Sequence, residues 1–417
     1  MRFLAGLSVS LMFACPAFAE TPEEVAAGAL EDSPVWDGHN DMPLQIRGRY
    51  LNMLEHFDFH DTSDAAPGAF DGGPMQTDLT RLREGGVGAQ FWSVYVSTEL
   101  QGADAVQTGI EQIDITRRLI AAYPQDLALA LTAADVEQAM KAGRIASLMG
   151  LEGGHMIGDS IAVLRQMYAL GIRYMTLTHY RNTSFADSAD AAPEHGGLTD
   201  FGKDLVREMN RLGMLVDLAH ASDATMLDAL AVTRAPLIFS HSNARAINGD
   251  SRNVPDNVLE LVRENGGIVM AVAYPGFISE PLRQWYARRE AEEASLQSLW
   301  QGQPERVASL LAAWEEANPA PAATIPELAD HIDHLRAVAG IDHIGIGADY
   351  DGMPTGPVGM EDVSGYPALF TELARRGYTG AELGKIASGN MMRVLKEAEA
   401  YAAAHLGDRP IEYPVPE

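Results

Sequence analysis

Apolar residues fall along this chain in short runs, with longer amphipathic stretches between them. The runs are VWDGHND (35–41), GAQFWSVYV (88–96), IASLMGLEGGH (145–155), IRYMTLTH (172–179), MLVDLAHAS (214–222), PLIFSHS (236–242), GIVMAVAY (267–274) and HIGIGADYDG (343–352). Most are rich in β-branched or aromatic residues and too short for core helices, so they predict strands. Between them, GIEQIDITRRLIAAY (109–123), DSIAVLRQMYAL (159–170), DFGKDLVREMNRLG (200–213) and DNVLELVRENG (256–266) predict helices. Eight strands alternating with helices predict a parallel sheet, and eight is the number that closes an α/β fold into a (β/α)8 TIM-like barrel. An open doubly wound sheet is the rival. No Gly-x-Gly-x-x-Gly turn follows the first strand to support a dinucleotide site.

The barrel domain is expected over residues 33–403, after an N-terminal linker at 20–32 and before a C-terminal tail at 404–417. Residues 280–324 break the alternation. They are charged, helical and Ala-rich, and end in NPAPAAT, which predicts a helical insertion after strand seven.

The polar residues that interrupt the runs are not scattered. Strand one ends in His39 and Asp41, strand three in Glu152 with His155 just beyond, and strand four in His179. Strand five ends in His220, strand six in His241, and strand eight in Asp349 and Asp351. His39 and Asp41 stand two apart, so a continuing strand would turn both to one face. In a barrel the C-terminal ends of all strands converge on one mouth, which holds the active site. Any one of these residues has a plain structural reading. A lone histidine is usually a hydrogen-bonded core residue, and Asp351 reads equally as a helix N-cap. Their recurrence at one geometric level across six strands is what a structural reading leaves unexplained. His331 and His334 in HIDH imitate a ligand pair, but their amphipathic helix runs away from the mouth and reads as a solvated face. His343 starts strand eight at that same far end. His56, His60, His195 and His405 fall in loops or the tail, and only His195 could approach the mouth.

Composition narrows the chemistry. The 417 residues carry a formal net charge of −28, with 47% hydrophobic residues. A large core is available, and such acidity argues against nucleic acid or anionic membrane surfaces as partners. Residues 1–19, MRFLAGLSVSLMFACPAFA, have a basic start, an apolar run and an Ala-x-Ala end, so they read as a signal peptide cleaved near Ala19. The mature protein is then expected to be exported, periplasmic or secreted. No later run is long enough for a transmembrane span. The only cysteine, Cys15, lies inside that leader, which excludes thiol catalysis and Cys-ligated zinc from the mature chain.

Imidazole and carboxylate ligands without thiolate suit Zn²⁺ or a similar divalent ion in an open catalytic site. Three histidines with Asp and Glu exceed the needs of one tetrahedral ion, so two ions sharing a carboxylate fit better. Such a pair activates water and polarises a carbonyl, which is the chemistry of hydrolysis. No Gly-x-Ser-x-Gly elbow supports a serine hydrolase. Arg252, in the polar loop NGDSRNVPDN after strand six, offers a fork for a substrate carboxylate, or else a surface salt bridge.

DGHNDMP, EGGH (152–155), GIRYMTLTHYRNT (171–183), DLAHAS (217–222), PLIFSHSNARA (236–246), RNVPD (252–256) and GIGADYDGMP (345–354) resemble the membrane dipeptidase (renal dipeptidase) family, peptidase family M19. The resemblance implies a (β/α)8 barrel with two Zn²⁺ per chain, in which His39 and Asp41 bind one ion, His220 and His241 the other, and Glu152 bridges them. It implies that His179 faces the scissile carbonyl and its oxyanion. Arg252 would hold the substrate's C-terminal carboxylate, and Asp349 would carry the proton to the leaving amine. The implied substrate is a small dipeptide, including those with a C-terminal D-residue. The alternative is another amidohydrolase-type activity on a β-lactam, lactone or N-acyl amino acid. A homodimer is an assembly the resemblance allows, but the disulfides of the mammalian members are not available to this chain. Tyr180 and Arg181, after His179, are positions where side-chain preference can drift.

Overall fold

The protein is described from a computed structural model covering residues 20–65 and 73–413. The leader expected at 1–19 lies outside the described residues. Among the described residues there are nine parallel strands: β1 (Val35–Asn40), β2 (Val87–Tyr95), β3 (Leu127–Leu129), β4 (Ile145–Glu152), β5 (Ile172–Thr176), β6 (Leu215–Asp217), β7 (Ile238–Phe239), β8 (Ile268–Ala271) and β9 (Ile344–Ile346). Eight of them close a barrel. β2 pairs with both β1 and β4, and β9 pairs with β1 through Asp37 and Ile346. The predicted barrel is therefore observed, with one strand that the sequence pattern did not reveal. β3 has three residues, and pairs only with the start of β4 through Leu127 and Ile145. A three-residue strand is shorter than any periodicity can register.

The pleat sorts side chains into two cores. Trp36, Phe91, Leu148, Tyr174, Leu215, Ile238, Ile268 and Met270 belong to one buried cluster. Their chain neighbours Val35, Trp92, Met149, Met175, Val216, Phe239 and Val269 belong to another, shared with the helices. Strands buried on both faces are near-continuously apolar, which is why the runs were legible.

Two expectations need correction. Residues 20–32 are not a linker. Pro22–Asp32 is a helix with a capping box, in which Thr21 accepts from the Glu24 amide and Glu24 reaches back to Thr21. Its Ala26, Ala29 and Leu30 are buried. HIDH is also not a solvated face. His331 is fully buried on the inner side of helix Ile325–Val338, receiving the Ala244 amide at 3.2 Å on Nδ1 and facing the Ile278 carbonyl at 2.9 Å with Nε2. His334 does lie outward, against Asp256 at 2.8 Å.

After β8 the chain forms helices Glu280–Leu299 and Pro304–Ala317, where a helical insertion was expected. They close a small core of their own around Leu296, Val307 and Leu311. Beyond the last helix, Ile411 and Tyr413 return to helix Asp200–Leu212, the Ile411 amide donating to Glu208 at 3.2 Å and the Tyr413 hydroxyl to Asp204 at 2.8 Å.

Candidate metal and catalytic centre

Tyr95, Glu152, Thr176 and Asp217 stand in register on β2, β4, β5 and β6, at the C-terminal edge of the barrel. Glu152 occupies the centre of what gathers there. Its Oε1 lies 3.4 Å from His39 Nε2, 3.4 Å from His179 Nε2, 3.3 Å from His220 Nε2 and 3.6 Å from His241 Nε2. Its other oxygen accepts from Ser93 at 2.9 Å. His39 Nε2 is also 3.3 Å from Asp41 and 3.8 Å from Asp349. Seven of the eight predicted site residues thus converge on one spot, and all seven are largely buried.

Local conformation brings them there by means the sequence pattern concealed. β1 stops at Asn40, so His39 and Asp41 do not share a face through the pleat as expected. Asp41 is the residue preceding helix Met42–Tyr50, yet its side chain makes no capping bond. Asn40 caps instead, accepting from the Met42 amide at 2.9 Å, and this leaves the Asp41 carboxylate free to turn into the cluster. His220, Asp349 and Asp351 have positive φ, at 62°, 71° and 64°. Left-handed backbone at non-glycine residues is strained, and such strain gathers at functional sites. Gly352 is obligatory here: a Cβ would stand 2.2 Å from Asp41 Oδ2 and 2.7 Å from Asp349 Oδ1. Asp351 caps no helix, which corrects that reading. Its Oδ1 accepts the Gln76 amide at 2.9 Å.

The electrostatics divide the cluster. Burial alone would raise the Glu152 carboxyl, but the surrounding His39 and His179 imidazoles hold it well below the usual carboxylate range. Burial would lower His39, yet Tyr174, Glu152 and Asp41 hold it well above the ordinary imidazole value. His39 therefore stands where positive charge is favoured. Burial, aided by the Arg252 guanidinium and His179, pushes His220 down to about 4, and burial with His39 holds His241 well below the ordinary imidazole value. Neutral imidazole is the form that donates a lone pair. Asp349 is raised well above the ordinary carboxylate value, by burial first, with Asp41 and Glu152 adding to it against His39.

Three overlapping groups could each hold a cation: His39 with Asp41 and Glu152, Glu152 with His220 and His241, and His39 with His241 and Asp349. Within each group the ligand atoms all lie within 4.8 Å of one another. The residues fit such an ion. His39 Nε2 and Asp41 Oδ1 are buried without a hydrogen-bond partner, and a native interior rarely leaves such atoms unsatisfied.

Arg252 reaches the same mouth from the loop after β7. It is 2% exposed, Nε and Nη1 have no partner, and it forms no ion pair among the described residues, so it is not a surface salt bridge. Phe277 flanks it at 5.3 Å. Asparagine amides stand in for backbone to build its loop: Asn243 pairs both ways with Val272, at 2.9 and 3.1 Å, and Asn253 holds the Asn248 and Phe277 carbonyls.

Several supporting residues were not foreseen. The Tyr174 hydroxyl meets His39 Nδ1 at 2.8 Å, a reach possible only because Gly150 lies beneath its ring, where a Cβ would sit 1.9 Å from Cζ. Asp37 accepts the His39 amide at 2.7 Å, the Ala348 amide at 3.2 Å and the Tyr366 hydroxyl. It so ties the ligand end of β1 to the segment carrying Asp349. An aspartate inside an otherwise buried run was the available signal, in VWDGHND and again in LVDLAH. His155 stands behind the centre, with Nε2 3.2 Å from the Val96 carbonyl. His195 is held by the Thr183 carbonyl at 3.0 Å, apart from the cluster.

A family model described as Membrane dipeptidase (Peptidase family M19) matches residues 24–407. Dipeptidase 3 of Rattus norvegicus is 41% identical over 399 residues, covering 94% of this chain and 71% of that protein. Among solved structures, the probable dipeptidase PvdM from Pseudomonas aeruginosa superimposes with a TM-score of 0.76 at 23% identity, covering 91% of this chain and 99% of that one. A metallopeptidase from Rhodobacter sphaeroides, liganded with a phosphinate mimic of the dipeptide L-Ala-D-Ala, gives 0.71 at 24% identity, covering 88% and 99%.

Proposed function

The chain belongs to the membrane dipeptidase family, peptidase family M19, and from that premise we propose that it is an exported dipeptidase that works with two Zn²⁺ ions and accepts dipeptides with a C-terminal D-residue. The observation that carries this reading is the convergence of four imidazole Nε2 atoms on one Glu152 oxygen at 3.3–3.6 Å. His39 and Asp41 would hold one ion, His220 and His241 the other, with Glu152 between them. Zinc bound there supplies Lewis acidity toward a carbonyl and lowers the pKa of water.

The chain's own groups do the rest. Arg252 binds the free C-terminal carboxylate of the dipeptide: a buried guanidinium with two unpartnered nitrogens is a fork awaiting an anion. That contact sets the register of the substrate and makes the enzyme a dipeptidase rather than an endopeptidase. His179, its ring stacked 4.0 Å from His220 and tilted against Tyr95 at 4.6 Å, faces the scissile carbonyl and donates to the oxygen as negative charge develops. Asp349, beside His39 at the rim, takes the proton from water and delivers it to the departing amine.

The test is turnover of L-Ala-L-Ala and L-Ala-D-Ala by zinc-replete protein, run beside a β-lactam, a lactone and an N-acetyl amino acid. The probe pair follows the ligand of the Rhodobacter sphaeroides structure. Hydrolysis of both dipeptides, with zinc content near two per chain, is expected. Turnover confined to the other three compounds would replace this reading with the broader amidohydrolase one.

A further inference from the structure

We propose that Ser240 and Asp217 form a hydroxyl relay that dictates which nitrogen of His241 carries the proton, so that Nε2 faces the metal cluster as a lone-pair donor. The inference deepens the metal reading above and rests on it.

Asp217 closes β6 inside the barrel and is fully buried. Four donors converge on it. Oδ1 receives the Ala219 amide at 3.1 Å and the Ser240 amide at 2.8 Å, and Oδ2 receives the Thr176 hydroxyl at 2.6 Å and the Ser240 hydroxyl at 2.7 Å. The two amides can only donate; burial raises the Asp217 carboxyl, but all four of these bonds oppose that rise, and the carboxylate they hold ionised can only accept. The single proton of Ser240 is therefore committed to Asp217. Its lone pairs remain, and His241 Nδ1 lies 2.8 Å from the same oxygen. Nδ1 must then supply the hydrogen, which leaves the lone pair on Nε2. That atom is 3.1 Å from His220 Nε2 and 3.6 Å from Glu152 Oε1.

The other two ligand imidazoles lack this constraint. His39 Nδ1 meets the Tyr174 phenol, a group able to donate or accept, whose only other partner among the described residues is the Gly38 carbonyl at a long 3.4 Å. His220 Nδ1 lies 3.7 Å from Asp190, beyond a direct hydrogen bond. Only His241 has its tautomer enforced through a chain of short bonds ending in a carboxylate. Ser240 and Asp217 are thus positioning residues. They touch neither substrate nor ion, and act by keeping one ligand ready before any ion arrives.

The test compares Ser240→Ala with Ser240→Thr, which keeps the hydroxyl, and with Thr176→Val, which removes a donor from the same Asp217 oxygen without touching the relay. Two readouts are taken. The first is the ring nitrogen-15 pattern of His241 in metal-free protein, assigned by its loss in His241→Asn. The second is zinc affinity by competition with a chromogenic chelator. Wild type is expected to show a protonated Nδ1. Ser240→Ala should show mixed tautomers and weaken one of the two zinc positions about 10–100-fold, the usual effect of losing such a partner. Ser240→Thr should restore both readouts, and Thr176→Val should leave both unchanged. An unaltered nitrogen pattern and zinc affinity in Ser240→Ala would overturn the relay. So would an equal loss in Thr176→Val, which would mark a merely structural role. Should Ser240→Ala not fold, Ser240→Cys is read in the same way. Wild-type protein that takes up no zinc would refute the metal reading, while the metal-free nitrogen pattern would still decide the relay.

Discussion

Asp349 is the most exposed carboxylate of the cluster, with its side chain 14% exposed against 5% for Asp41 and for Glu152. It shares the rim with His39 at 3.8 Å, while Glu152 and Asp41 stand closer to that imidazole. Under the proposed role, Asp349→Asn is expected to leave the metal content unchanged and lower kcat by about 10²–10⁴, the range for losing a positioned proton carrier. Metal analysis beside steady-state kinetics checks it, and unchanged kcat would remove Asp349 from the proton path. Arg252 acts on a different quantity. If it holds the substrate carboxylate as proposed, amidating the C-terminus of the dipeptide should lower kcat/KM at least tenfold, since a buried charge is left unmatched. Equal values for free and amidated substrate would return Arg252 to a structural role. Both residues were legible in the sequence because each sits where a strand or its loop ends. Asp217, Ser240 and Tyr174 were not. Tyr174 and Ser240 matter through the histidine nitrogen each meets, and Asp217 through Ser240, and no spacing encodes that.

At the scale of elements, helix Ile325–Val338 shows how burial changes the meaning of a residue. His331 lies on its inner face and joins the helix to Ala244, at the start of the loop that carries Arg252, and to Ile278. Burial first, against partial relief from the Ile278 carbonyl, holds its imidazole below the ordinary 6.5. The unfolded chain therefore takes up a proton that the folded chain resists. The contribution to stability is complete above pH 6.5, and it is lost as pH falls from there toward the folded value. Urea unfolding between pH 7.5 and 5.5 should show a falling midpoint, with a shallower fall in His331→Gln. Parallel pH profiles for the two proteins would assign the acid sensitivity elsewhere. HIDH read as solvent-facing because period alone places a residue on a helix but does not say which neighbours cover it. The helix Pro22–Asp32 was missed for a similar reason: short and Ala-rich, it is defined by its capping box and by what it packs against, and not by an apolar stripe.

For the whole molecule, the main consequence is that the barrel mouth brings like groups together. Four imidazole nitrogens and three carboxylates are held within one buried site, and several are without partners. Cations that satisfy them should bind the folded chain and not the unfolded one, so zinc should raise stability by about 2.7 kcal/mol at a hundredfold excess over Kd. EDTA treatment should lower Tm and zinc should restore it. An identical Tm with and without chelator would mean that the cluster is self-sufficient. Among the described residues no helix is long and apolar enough to cross a membrane.

The sequence by itself determined the class of fold and the roster of chemistry. A strand buried on both sides must be apolar throughout, so its end is marked wherever His, Asp or Glu first appears, and that mark survives in one dimension. The tertiary structure decided everything that depends on direction. It determined that Asp41 reaches the cluster from a helix start after the strand has stopped, that Arg252 is sealed in and not paired at the surface, and that a serine and an aspartate form a hydrogen-bonded chain behind one imidazole. Direction is set by backbone dihedrals and by neighbours hundreds of residues away. A linear pattern records spacing, but contact between distant segments exists only once the barrel has closed.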